Sequence, residues 1–379
     1  MKKLLFILLL VTAPIAAWAQ ATTTIPNESP SLYRGVRQLG MGNAAIAMPG
    51  TDEAAPFYNP AAIHDYQGFH MRLVSPAADL STSTVSLAKD IFDLADQINA
   101  AATTKGKTDT FETFVNKHTG EFHTLDVRLP IITAMSKYFF ISTLADSRNT
   151  FSFRNRVFRN VEILSRSDLG GMVGTAYGFF DDQLEAGLDV KVLHRVLIDR
   201  VLTTNDIIAT SSFGDALALK RGTGVGFDLG LKGKIPTFDI KTLDLLKPTA
   251  GFTWQDVGNT RFGDAGQTDQ SISLGVAVHP TFQLKEKDWQ NHFAMDLRDL
   301  NQPEPFTSKL YFGYELMAPR FFIVRPSIRI GANQFYIAGG TTLDFRFFKV
   351  EFAVYQQETG KFTRQDGQTR IAANIALGF

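Results

Sequence analysis

The sequence predicts an all-β protein, a transmembrane antiparallel β-barrel of about 14 strands with an N-terminal plug. Three observations carry this. Segments of alternating polarity recur from Gly68 onward, their connections alternate between tight and long, and an amphipathic last segment ends in Phe379. Predicted strands fall near 67–79, 121–136, 138–155, 168–181, 183–199, 221–234, 246–257, 269–280, 290–299, 307–318, 321–332, 333–345, 346–358 and 368–379. Their count is even, as in bacterial single-chain barrels.

Met1–Ala19 opens with Lys2-Lys3, continues as an apolar run from Leu4 to Val11, and reaches Ala17-Trp18-Ala19 before Gln20. This is the pattern of a secretory signal peptide. A membrane anchor is disfavoured because the apolar run is short and Pro14 breaks it. The chain contains no cysteine, so neither a lipoprotein anchor nor a disulfide framework is expected. Past Ala19 no window approaches the roughly 20 apolar residues of a membrane helix. The 38 acidic residues balance 38 basic ones, which argues against a nucleic-acid partner, since no surplus positive field exists to neutralise phosphates. No linker or composition break divides the remainder. Residues 20–66 therefore read as lead-in and luminal plug, and 67–379 as one barrel.

Gln20–Ser31 is polar and contains Pro26 and Pro30, as a periplasmic lead-in would. Gly35–Ile63 is too apolar for a linker and too rich in Gly and Pro for a continuous helix. Gly40 and Gly42 permit close backbone approach or positive φ, Pro49-Gly50 makes a turn, and Asn59-Pro60 is restricted to an extended or turn shape. Asn43–Met48 and Asp52–Ala55 have room for about one or two helical turns each, with Asp52 and Glu53 favouring an N-terminus. Such a packed irregular segment needs a container.

Gly42-Asn43-Ala44, an acidic stretch and Tyr58-Asn59-Pro60-Ala61, placed after a signal peptide and before the first strand, resemble the N-terminal signature of the FadL-type outer-membrane protein superfamily, the long-chain fatty-acid transporters. The resemblance extends loosely through Lys247–Gly258, His292–Leu300 and the terminal strands. Its style is that of the superfamily's divergent, less characterised branches, including secretion- and conjugation-associated relatives. It implies that Gly42, Asn43, Ala44, Tyr58, Asn59, Pro60 and Ala61 plug the lumen; it assigns no ligand-binding residues.

Beyond the first strand, Val85, Ala88, Ile91, Phe92, Ala95 and Ile98 recur at helical spacing opposite Lys89, Asp90, Asp93 and Asp96, so Thr84–Ala102 is expected to be a helix packing on the barrel rim. In Leu184–Val192, Leu184, Ala186, Leu188, Val190 and Val192 share one face, and Glu185, Gly187, Asp189 and Lys191 the other. Tight connections are expected at Ser136-Lys137, Asp181-Asp182, Ala318–Arg320 and Phe345-Arg346. Ile235–Leu246 and Thr281–Trp289 are long for the short-turn side, and Gly331–Asn333 is tight for the long-loop side. In the last strands Phe348, Val350, Phe352 and Val354 oppose Lys349, Glu351, Ala353 and Tyr355, while Ile371, Ala373, Ile375, Leu377 and Phe379 share the lipid-facing side. A terminal Phe closing an amphipathic strand resembles the signal read by the outer-membrane assembly machinery. The 32 Phe residues fit aromatic girdles and an apolar lining.

A search for catalytic chemistry finds little. The seven histidines form no HExxH or other ligand spacing, and the common cysteine-containing zinc sets are excluded. His118 and His123 share a loop region, but no metal site is assigned. No Gly-x-Ser-x-Gly elbow occurs, and Gly222–Gly226 lacks the Lys-Ser/Thr of a phosphate loop. Its glycines, like Gly339-Gly340, are expected to relieve packing or permit a bulge. No enzyme, catalytic residue or cofactor is predicted. Glu185, Asp189, Lys191, His292, Asp296, Arg298, Lys309, Glu315, Lys349, Glu351 and Arg370 are placed on inward faces, where opposite charges can pair.

The expected function is passive outer-membrane transport of hydrophobic small molecules such as long-chain fatty acids. The expected surroundings are outer-membrane lipid and the assembly machinery, with a hydrophobic small molecule as ligand. The alternative is a scaffold or shuttle barrel that binds a protein partner in secretion or conjugation without transport, through Thr84–Ala102, Arg156–Ser167 and Arg200–Lys220. A transporter should show a continuous apolar cavity beside the plug, and a scaffold a lumen filled by paired charges.

Overall fold

The computed structural model describes residues 32–378 apart from 101–102, 155–159, 204–216, 239, 285 and 359–366. The expected signal peptide and Phe379 lie outside the described residues. Alternating side chains produce a closed antiparallel barrel of fourteen strands, each beside its sequence neighbours. The first, β1, is interrupted at Ser75-Pro76 into His70–Val74 and Ala77–Ser81. Pro76 cannot donate to a ladder. The Asn374 amide fills the gap by donating to Ser75 Oγ (2.9 Å) and to the Pro76 carbonyl (3.2 Å).

Then follow β2 Phe122–Met135, β3 Phe139–Arg154, β4 Asn160–Phe179, β5 Leu184–Thr203, β6 Lys220–Lys234, β7 Thr249–Gln255 and β8 Ser271–Val278. The circuit continues with β9 Lys287–Leu297, β10 Leu310–Met317, β11 Arg325–Asn333, β12 Tyr336–Asp344, β13 Phe348–Glu358 and β14 Gly367–Gly378. It closes because β14 pairs with β1, Ile371 opposite Leu80 and Ala373 opposite Ala78.

The two faces follow the sequence alternation. Leu188 and Val192 are 40% and 50% exposed, whereas Glu185, Asp189 and Lys191 on the alternate face are buried. Ile375 and Leu377 lie on the outward face, and all eleven charges and polar groups expected inside are buried. An apolar outward band around a polar interior, in a sheet closed on itself, is the arrangement that satisfies backbone hydrogen bonding in lipid. The chain is an outer-membrane barrel. Tight turns at 136–138, 180–183 and 345–347 mark its periplasmic end.

The walls are unequal. Strands β4 and β5 have 20 residues each, and β7 and β8 only 7 and 8. The segment expected as a loop at Arg156–Ser167 is strand from Asn160 onward, and the one expected at Arg200–Lys220 is strand through Thr203. The physical reason is a helical hairpin, α1 Thr82–Ala100 and α2 Thr104–Lys117. Leu87 and Val115 pack with Phe153, Val161, Ile163 and Leu202, so the strand extensions have an apolar cover beyond the lipid. The first helix matches the expected Thr84–Ala102; the second was missed, although Phe111, Phe114, Val115 and His118 stand at helical spacing.

Other connections shift in register. The turn expected at Gly331–Asn333 lies at Gln334-Phe335, both in the left-handed region (φ 52° and 66°). Gly331 stays inside β11, where Gly42 packs on it. Ile235–Leu246 contains a short helix at Lys241–Leu246, and Thr281–Leu284 forms a hairpin with the start of β9. The glycines of Gly222–Gly226 relieve packing, as expected. The external stretch around Phe262 folds inward onto Gly222 and Gly224, and the Arg195 guanidinium stacks 3.7 Å from the Phe262 ring centre.

Candidate functional site in the barrel lumen

Residues 32–66 are almost wholly buried against the inward faces of the strands. Only Val36–Gly40 forms an α-helix. Asn43–Met48, where one or two helical turns were expected, is a series of turns, because Gly42 and Asn43 both have positive φ (62° and 66°) and Pro49 follows. Asp52 does act as an N-terminal group: its Oδ1 accepts from Ala54 N (2.9 Å) and Ala55 N (3.1 Å) at the start of the 3₁₀ turn Ala55–Phe57. Asn59 is extended, as its proline neighbour requires. Its side chain caps a second 3₁₀ turn, Pro60–Asp65, by accepting from Ala61 N at 3.0 Å.

All seven motif residues, Gly42, Asn43, Ala44, Tyr58, Asn59, Pro60 and Ala61, are buried in the barrel. The fold brings the two halves together: Tyr58 Oη donates to Asn43 Oδ1 at 2.6 Å. They then seat on opposite walls. The Asn59 amide donates to the carbonyls of Ile46 (2.8 Å) and Leu231 (3.1 Å), and Pro60 and Ala61 lie where side chains at Gly187 and Gly230 would stand. On the other side, Gly42 abuts Gly331 and the Phe312 carbonyl, and Asp296 Oδ2 accepts from Ala45 N (2.6 Å) and Ile46 N (3.0 Å). The Arg298 guanidinium donates to Asn43 O at 3.2 Å.

Ion pairs surround the segment. Arg37 contacts Glu315 at 2.5 Å and Asp52 at 2.9 Å, and Arg329 holds the other Glu315 oxygen at 2.7 Å. Glu53 reaches Lys349 at 3.2 Å, and Arg34 reaches Asp126 at 3.4 Å. Arg128 pairs with Asp79 at 3.0 Å and donates to Arg34 O at 2.8 Å. Among wall residues, Lys191 bridges Asp228 (2.8 Å) and Asp256 (2.9 Å), while Lys232 joins Glu185 (2.7 Å) and also Asp65. Arg34, Arg37, Asp52 and Glu53 were missed as site residues; charges standing within an otherwise apolar stretch were the available signal. At the periplasmic end, hydrogen bonds from His64 (2.9 Å) and Lys137 (3.0 Å) hold the Asp182 carboxyl below its ordinary value.

Two cavities of about 460 Å³ each adjoin the segment from opposite ends. The outer is polar, with Arg34, Asn43, Arg166, Arg195 and Asp299 in its lining. The inner is lined by Ala47, Pro49, Ile235, Pro248, Thr249 and His279 together with Asp65, Glu185 and Lys232. Along the chain, buried Ala44, Ala45 and Ile46 separate Asn43 of the outer lining from Ala47 of the inner one. Ile235, Pro248 and Thr249 also line a recess of about 580 Å³ on the lipid-facing wall, beside Val276, Phe293 and Ile330. The two cavities share no lining residue, and ion pairs surround the segment among the described residues.

No family model and no curated protein matches the chain. Among solved structures it is similar to the CymD monoaromatic hydrocarbon channel, at 10% identity and a TM-score of 0.49 over 93% of this chain and 98% of that one. It is also similar to the Pseudomonas putida toluene transporter TodX, at 12% identity and a TM-score of 0.49 over 94% and 99%. The closed fourteen-strand barrel of this chain is the architecture that the FadL-type resemblance implies.

Proposed function

We propose that the protein is a passive outer-membrane channel for hydrophobic small molecules, long-chain fatty acids among them, in which residues 32–66 are the plug. The observation that supports this is the placement of the two cavities on one short stretch: Asn43 lines the outer cavity and Ala47 the inner one. A rearrangement confined to Asn43–Ala47 would join them without unfolding the barrel. The Asp296 contacts to Ala45 and Ile46 and the Asn59 contact to Ile46 are what such a rearrangement must release. Gly42, Asn43 and Ala44 form the moving side in this reading, and Tyr58, Asn59, Pro60 and Ala61 the seat. Release proceeds into the periplasm or through the wall beside Ile235 and Pro248.

The filled, ion-paired interior favours a second reading, a scaffold barrel that binds a protein partner without transport. Uptake separates the two. Cells carrying the protein should take up a labelled long-chain fatty acid or a monoaromatic hydrocarbon faster than cells carrying an unrelated barrel. Mass spectrometry of the purified protein should find hydrophobic molecules enriched over that control. Uptake and extracts both indistinguishable from the control would overturn the channel and leave the scaffold.

A further inference from the structure

A separate cluster lies on the opposite side of the wall from the lumen, at the external end of β2. His118 and Glu121 come from the turn after α2, and His123 from the second residue of β2. His118 Nδ1 is 2.9 Å from Glu121 Oε2, and His123 Nε2 is 3.2 Å from the same oxygen. One donor atom from each of the three residues falls within 4.8 Å of the others. A tetrahedral zinc with ligands at about 2.0–2.1 Å sets its donors about 3.3–3.4 Å apart, so the arrangement is near what an ion would impose.

The surroundings point the same way. His118 and His123 are 2% and 0% exposed, with ring centres 5.4 Å apart and planes at 76°. His123 Nε2 and His118 Nε2 both lack a well-formed hydrogen bond in spite of their short distances to the Glu121 and Asp90 carboxylates. A buried imidazole nitrogen aimed at a carboxylate oxygen without bonding it is poorly explained by packing alone. The far nitrogen of His118, Nε2, lies 2.9 Å from Asp90 Oδ2, and Lys117 holds the other Asp90 oxygen at 2.7 Å. A carboxylate behind a ligating imidazole is the usual outer shell of a metal site. Phe114 and Phe153 wall the two rings from the interior side, while Glu121 is half-exposed and leaves an entry path.

We propose that His118, Glu121 and His123 bind one borderline divalent cation, zinc foremost, with water in the fourth position and Asp90 orienting His118. Two imidazole nitrogens and one carboxylate select zinc, nickel or copper over calcium and magnesium, which prefer all-oxygen sets. Asp90 belongs to α1, and His118 and His123 flank the junction of α2 with the barrel. A bound ion would therefore clasp the helical hairpin to the top of β2.

The test uses tag-free full-length protein in detergent, stripped with a chelator and titrated calorimetrically with zinc chloride, with calcium chloride as control. Cobalt chloride supplies a visible spectrum of tetrahedral character. One equivalent of zinc per chain is expected, with binding lost in His118→Ala and His123→Ala and weakened about 10- to 100-fold in Asp90→Asn. Zinc should also slow proteolysis within the hairpin in the parent protein but not in His123→Ala. Heat-modifiable migration on gels reports whether each variant keeps a folded barrel. Absence of zinc binding, zinc binding unchanged in a folded Glu121→Gln/His123→Ala double variant, or calcium binding as tight as zinc would each overturn the site.

Discussion

The lumen segment meets two walls that hold it by different proportions of shape and charge. The long-strand wall, β4 to β6, receives Asn59–Ile63 through shape: Gly174, Gly187 and Gly230 leave room, and the neutral Asn59 amide ties two backbone carbonyls. The short-strand wall, β8 to β11, receives Arg37–Ala47 largely through charge: Glu315 and Arg329 on Arg37, Asp296 on two backbone N–H groups, and Arg298 on a carbonyl. A contact made by shape can be loosened by degrees, whereas a buried charge cannot lose its partner without a large penalty. The comparison therefore predicts that the short-wall ion pairs anchor the segment more strongly than the long-wall glycine seat.

Arg37→Met tests this at its strongest point, because it takes the ion-pair partner from buried Asp52 and removes one of the two arginines on Glu315. Thermal or urea unfolding in detergent should show a loss of about 3–5 kcal/mol. A loss smaller than that of the glycine variants would break the comparison.

Gly187→Val places a side chain where the Pro60-Ala61 backbone lies and should cost about 1–3 kcal/mol through overpacking. In this variant a cysteine introduced as Ala61→Cys should react faster with a membrane-impermeant thiol reagent. The chain has no native cysteine to contribute background. The same reporter should stay protected in Arg37→Met if the two walls act independently.

Tyr58→Phe cuts the hydrogen bond that ties one wall's motif to the other's, at about 0.5–1.5 kcal/mol by unfolding. If the walls are coupled through it, the Gly187→Val and Arg37→Met effects become more nearly additive in its background, a result a double-mutant cycle reads directly.

Asp182→Asn should have the smallest effect, since the site is exposed at a periplasmic turn. His64 and Lys137 lower the carboxyl below its ordinary 3.8, so its contribution is fully present above about pH 4 and is lost as pH falls through the depressed value. Hydrogen-exchange protection of the 180–183 turn, taken relative to the intrinsic rate at each pH, should fall on acidification in the parent protein and show no such step in the variant.

Much of the barrel was legible because a strand's period of two writes its inside and outside directly into the chain. Glu185, Asp189 and Lys191 against Leu188 and Val192 needed no structure to sort. The strand ends were less legible. Val161, Ile163 and Leu202 continue the alternation past the lipid only because α1 and α2 cover them, and nothing local announces a cover supplied from some fifty residues or more away. The luminal segment was legible as a packed irregular unit from its Gly, Pro and apolar content. Its charged contacts were not, since Arg37 and Glu315 stand 278 positions apart.

The sequence by itself determined a strand count near 14, the two faces and the packed irregular character of Gly35–Ile63, because periodicity and backbone restriction are local properties. Only the tertiary structure decided which charges pair, that Tyr58 meets Asn43, and that Asn43 and Ala47 line two different cavities. It also decided that His118, Glu121 and His123 converge beside Asp90. Those outcomes depend on barrel closure and on the seating of one segment inside it, which set distances between residues that no local pattern relates.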